Sequence, residues 1–103
     1  MSANQPTAPH IAPPNHPPDY WRQLLNALAT SCNLRFRSDL EYVEEQRAWW
    51  ATYHLLNPDN TNANYLGMDN GTSQDIAKEW AARQSYETLV TLIQQWTQAA
   101  SQT

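Results

Sequence analysis

Residues 47–60 read "RAWWATYHLLNPDN": two adjacent tryptophans, a run of aromatic and aliphatic residues, then a proline. How this stretch is read decides the fold. Just upstream, Ser38 and Glu41 in "SDLE" have the spacing of a capping box, and Asp39 adds negative charge where a first helical turn favours it. Asn57-Pro58 closes the segment, because proline disfavours helix at the residue before it. The spacing predicts a helix from Ser38 to Leu56. At about 100° per residue, Leu40, Val43, Trp50 and His54 share one face, and Tyr42, Trp49, Tyr53 and Leu56 a second. Glu41, Glu44, Glu45 and Thr52 take the remaining arc. An apolar surface wider than the usual ~100° stripe predicts a central helix. Trp50 then belongs to an aliphatic core face, and Trp49 to an aromatic face left for a partner.

Working outward, Pro18-Asp19 suits a first helical turn. Trp21, Leu24, Leu25, Leu28, Ala29 and Cys32 follow at three- and four-residue spacing, which predicts an amphipathic helix ending near Asn33. Residues 57–72, "NPDNTNANYLGMDNGT", hold both glycines and little periodicity and read as a loop pinned by Tyr65, Leu66 and Met68. From Thr72 to about Ala100 the chain reads as helix, capped by Thr72 with Asp75, or by Ser73. Its apolar direction changes partway: Ile76, Ala77, Trp80 and Ala81 point one way, and Tyr86, Leu89, Ile93, Trp96 and Ala100 about half a turn around. A break near Gln84-Ser85 is the preferred explanation; one long helix packing on different sides at its two ends is the other. The expected fold is all-α, a small three- to four-helix bundle over residues 18–103. Before it, residues 1–17 carry Ile11 as their only large aliphatic side chain besides Met1, too little to offset ordering entropy, so a disordered or polyproline-like Pro-rich arm is expected.

Composition narrows the function. The 103 residues allow one domain, and the formal charge is −4, with Lys78 and five arginines as the only strong cations. That argues against nucleic acid, whose binders present a basic stripe. The single cysteine, Cys32, excludes an internal disulfide and fits a reducing compartment. No apolar leader and no membrane-length run is present, so a soluble cytoplasmic protein is expected. Five tryptophans and five tyrosines are a heavy load for this length; each ring buries roughly 150–250 Å² when packed.

Candidate chemistry is thin. Cys32, on the apolar stripe, reads as a small hydrophobe, and His54, on the Trp50 face, as a core or boundary histidine. His10 and His16 lack further ligands for a metal. Glu41, Glu44 and Glu45 read as a solvated helix face, and "RFR" at 35–37 has acids too close by for a phosphate site. Asn70-Gly71-Thr72 matches a glycosylation acceptor only if the chain is secreted. Neither enzyme activity nor a cofactor or metal is expected.

Two short motifs stand in the arm. Pro6-Thr7-Ala8-Pro9 resembles the late-domain motif that recruits a ubiquitin-like domain of the endosomal sorting machinery. Pro17-Pro18-Asp19-Tyr20 resembles the PPxY ligand of WW domains, which docks as a preformed polyproline helix. Residues 71–96, through Ala77, Trp80, Tyr86, Glu87 and Leu89, resemble a stretch of retrotransposon Gag capsid domains, although no zinc knuckle is present. That resemblance implies a helical structural protein and stands as the alternative. The principal expectation is a protein-binding module, acting as adaptor, inhibitor or small subunit through an aromatic helical face. Its anchors would be Trp49, Tyr53, Tyr42, Trp80 and Trp96, and its partner another protein or a second copy of the chain, since Trp and Tyr are the usual interface anchors.

Overall fold

The computed structural model describes residues 9–11 and 17–101. The elements run α1 (Tyr20–Ser31), β1 (Phe36–Val43), a short 3-10 turn (Glu44–Gln46), β2 (Ala48–Leu56), β3 (Asn62–Gly71) and α2 (Gln74–Ser101). The strands form one antiparallel sheet in the order β1-β2-β3. The chain is therefore α+β, and the expected all-α bundle is wrong: the predicted helix 38–56 is two strands, and most of the predicted loop 57–72 is the third.

The physical reason lies in period two. In β1, Phe36, Leu40 and Tyr42 alternate with Arg37, Asp39 and Glu41. In β2, Trp49, Ala51, Tyr53 and Leu55 alternate with Trp50, Thr52, His54 and Leu56. Successive strand side chains point to opposite faces, and rings and β-branched residues suit a pleated surface. The register sets Phe36 opposite Leu55, Leu40 opposite Ala51 and Tyr42 opposite Trp49, so one row from each strand enters the core with α1 and α2. Ser38 and Glu41, read as a capping box, are exposed mid-strand residues. The strands reverse through Glu44–Gln46 and Arg47, whose left-handed φ of 50° closes the turn. The β2–β3 turn is built on Asn57-Pro58-Asp59-Asn60, with Asn60 left-handed at φ 70°. Thr61 donates to the Asp59 carboxylate through both N–H (3.1 Å) and hydroxyl (2.6 Å), which holds that carboxyl below its usual range. Register shifts around His54 place both Leu66 and Gly67 against the core.

α2 is one unbroken 28-residue helix, so the expected break at Gln84-Ser85 does not occur. Ser85 is buried, and its hydroxyl donates to the Ala81 carbonyl (2.8 Å) rather than starting a new helix. The change of apolar direction reflects changing neighbours along the helix. Its first half lies close to the sheet through Ala77, Ala81 and Ala82, all buried. Two glycines make that approach: a Cβ on Gly67 would lie 2.9 Å from Gln84 Cβ, and one on Gly71 2.6 Å from Ile76 Cγ2. Farther along, Leu89 is buried and Leu92 and Ile93 pack at the core's edge.

α1 is fastened by an unusual cap. No side chain of its own caps the helix. Instead the Glu79 carboxylate, carried by α2 and fully buried, accepts from the Trp21 and Arg22 amides and from Arg22 Nε (3.2 Å). Orphan amides at a helix N-terminus favour an anion, and here a neighbouring helix supplies it.

The disorder expected for 1–17 falls largely outside the described residues, as do Pro6, Thr7, Ala8 and His16. Residues 9–11, within that arm, dock on the body. The Gag likeness implied helix upstream of residue 71, where the sheet lies instead.

Candidate functional site

The helices cover one face of the sheet, and no described element covers the other. On the open face the register brings together Arg37 and His54, Asp39 and Thr52, Glu41 and Trp50 from β1 and β2, with Met68 and Tyr65 from β3. A hollow of about 580 Å³ is lined by residues that include Val43, Trp50, Thr52 and Met68 with Asp39 and Glu41. Trp50 Nε1 donates to Gln46 Oε1 (2.6 Å), which fixes the indole plane. Met68 and Tyr65 are 43% and 55% exposed. Asp39 pairs with Arg37 (3.2 Å), whereas Glu41 and, on the adjoining turn, Glu44 and Glu45 stand exposed. No lysine or arginine lines the hollow.

The structure divides the expected anchors. Tyr42, Trp49 and Tyr53 lie on strands, so the aromatic helical face does not exist in that form. Tyr53 is buried against Phe36 (5.5 Å between rings), and burial pushes its hydroxyl up to about 12, with Arg22 pulling the other way and Glu79 adding to the rise. Trp49 faces the helices and meets Tyr42 at 5.2 Å. Trp96 is 44% exposed near the end of α2, where it lines a shallow cleft with Leu34, Ile93 and Cys32. The tryptophan pair does split between two environments, but with the expected assignments exchanged: Trp50 looks out and Trp49 looks in.

Trp80 has a different task. Its ring stacks on the His10 imidazole (4.5 Å between centroids, 25° between planes), and its Nε1 donates to the Ile11 carbonyl (2.7 Å). His10 Nε2 meets Asp69 Oδ1 at 3.0 Å, the His10 amide donates to Asn70 Oδ1 (3.2 Å), and Thr72 N–H donates to the His10 carbonyl (3.0 Å). Of the second arm motif, Pro17 and Pro18 are exposed. Tyr20 begins α1, its amide donating to the Pro17 carbonyl (3.1 Å), so the motif is folded into a turn and a helix rather than extended.

The remaining candidates have structural places. Cys32 is exposed at the end of α1, not within a buried stripe as expected, because the helix stops one residue before it. His54 packs edge-on against Tyr65 (5.9 Å) on the open face, and its Nδ1 makes no hydrogen bond. Arg35 clasps the β2–β3 turn through Asn60 Oδ1 (2.6 Å) and the Asn57 and Pro58 carbonyls (3.2 and 3.1 Å), while Phe36 packs into the core. No group of three metal-ligating side chains occurs among the described residues. No helix of the described residues is long and apolar enough to cross a membrane. Sequence reasoning missed Trp50 and Met68 as surface residues, and the signal was the strand alternation around them. Comparison with family models, curated proteins and solved structures returns no match.

Proposed function

We propose that the protein is a protein-binding module whose docking surface is the open sheet face, centred on Trp50 and Met68. The observation that supports it is the hollow of about 580 Å³ beside a fixed tryptophan on a face no described element covers. A tryptophan beside an apolar hollow with polar residues at its edge is a common form of interface anchor. Charge gives the partner's character: Asp39 is already paired with Arg37, but Glu41 beside the hollow and Glu44 and Glu45 on the adjoining turn stand exposed, so a basic or apolar side chain is favoured there and an acidic one is repelled. Size gives the rest. Three strands about 4.8 Å apart, eight residues long at about 3.4 Å each, cover roughly 400 Å² in plan. Even doubled for side-chain relief, that reaches only the roughly 800 Å² per partner of a standard interface. The surface suits a reversible encounter more than an obligate assembly.

The test is a photo-activated cross-linker placed at Met68 and, as control, at Glu87 on the exposed side of α2, in extract from the native source. The expected result is an adduct specific to position 68 that disappears in a folded Trp50→Ala variant. An adduct pattern identical at both positions, or one untouched by Trp50→Ala, would refute the assignment.

A further inference from the structure

The contacts that hold residues 9–11 are of two kinds. Three read only main chain: Thr72 N–H to the His10 carbonyl, Trp80 Nε1 to the Ile11 carbonyl, and the His10 amide to Asn70 Oδ1. Two read a side chain: the imidazole stacks on Trp80 and meets the Asp69 carboxylate. Main-chain bonds for affinity and a side-chain pocket for specificity are how peptide-recognition sites work. The receptor half is also braced by the body. Asp69 takes Gln84 Nε2 (2.9 Å) and the Asn70 amide (2.8 Å). Arg83 lies 5.8 Å from the Trp80 ring and at the same distance from Trp21, and Asn70 is nearly buried. Preorganisation of this sort lowers the cost of binding. Ile11, the one large aliphatic side chain among residues 9–11, is by contrast 71% exposed and lies outside the core.

We propose that the junction of β3 and α2 is a peptide-binding site for a short extended segment carrying an imidazole followed by an aliphatic residue. The chain's own arm is its tethered occupant, and it competes with such a segment on a partner protein. Trp80 and Asp69 select the imidazole; Asn70, Thr72 and the Trp80 N–H hold the backbone of any sequence. Linkage within one chain presents such a ligand at an effective concentration of order 1 mM. A partner segment of equal intrinsic affinity is therefore excluded at micromolar levels, and gains access when the arm is released or when its own contacts are stronger.

A labelled peptide spanning residues 6–14 is the probe, titrated into the full chain, the full chain carrying His10→Ala, and a chain lacking residues 1–16. Saturable binding is expected to the shortened chain and to the His10→Ala chain, and binding at least about ten-fold weaker to the unmodified chain, where the arm competes. A probe with His10→Ala should lose about ten-fold or more on the shortened chain. Trp80→Phe, which keeps a ring but removes the N–H, should weaken binding of the unaltered probe by a smaller factor. Equal binding to all three chains, no binding to a folded His10→Ala chain, or indifference to the imidazole in the probe would overturn the proposal. The full-length His10→Ala chain decides the matter even if the shortened one fails to fold.

Discussion

Replacing Glu79 should uncouple the two helices. The carboxylate is fully buried and takes two amides of the first turn of α1 plus the Arg22 guanidinium. Removing a helix cap costs about 1 kcal/mol, and each buried donor left without a partner adds about 1–3 kcal/mol. Arg22 keeps part of its support, because Nη2 still reaches the Pro18 carbonyl (3.1 Å) and Nη1 reaches Asp75 (3.4 Å). Relief from desolving the carboxylate offsets some of the loss, and the net for breaking a buried pair is about 3–5 kcal/mol. A domain with total stability of about 5–15 kcal/mol would then lie near its limit, with Tm lowered by roughly 12–40 °C. Glu79→Gln keeps the shape and an acceptor oxygen but loses the charge opposite Arg22, so about 2 kcal/mol is expected. Urea melts followed by circular dichroism measure both variants. A double-mutant cycle with Arg22→Met should give a coupling of about 1 kcal/mol or more. A loss below about 1 kcal/mol for Glu79→Ala would show that this carboxylate does not cap α1.

Two further outcomes follow from the sheet. Trp49→Ala should cost about 1.5–2.5 kcal/mol, near half the value for a fully buried tryptophan, whereas Trp50→Ala should cost about 1 kcal/mol; urea melts showing the reverse order would put the wrong ring in the core. Tyr53, with its hydroxyl raised from 10.0 to about 12, stays neutral in the fold after the unfolded chain has begun to ionise. Stability should therefore be full below pH 10 and fall by roughly 2–3 kcal/mol as pH rises towards 12, and Tyr53→Phe should flatten that part of an alkaline stability profile.

The helices were legible in the chain and the sheet was not. α1 shows itself through Trp21, Leu25 and Ala29 at helical spacing, and α2 through its small-residue and leucine positions. The stretch 38–56 deceives because both rows of β2 carry large side chains. Trp50 and Leu56 face out while Trp49 and Leu55 face in, so a wheel and an alternation both find an apolar face. The capping-box spacing of Ser38 and Glu41 then favours helix for a reason unrelated to the fold. The alternation Phe36, Leu40, Tyr42 against Arg37, Asp39, Glu41 was the better signal, since charge fills three alternate places in succession. β3 is hidden for another reason. Its inward positions include Gly67, Asp69 and Gly71, which show no apolar pattern because a helix backbone lies where side chains would be. The Glu79 cap and the arm clamp join residues dozens of positions apart, and no local pattern announces either.

That close approach also explains where the rings go. With Ala77, Ala81, Ala82 and Ser85 set against Gly67 and Gly71, the contact between α2 and β3 has no room for an aromatic side chain. Trp21, Phe36, Tyr53 and Tyr86 gather instead beside α1, where the helix stands off from the sheet and large side chains fill the space. Of the other rings, Trp49 pairs with Tyr42 at the end of the sheet and Tyr20 meets Trp21 edge-on, while Trp50 and Tyr65 stand on the open face, Trp80 over residues 10 and 11 and Trp96 near the end of α2. An aromatic excess in a small chain is thus better sorted by asking which layer is too thin to hold a ring than by counting rings. Here the thin layer is α2 on β3, and the two proposed docking places lie on either side of it: the open face of the sheet behind β3, and the clamp at the start of α2.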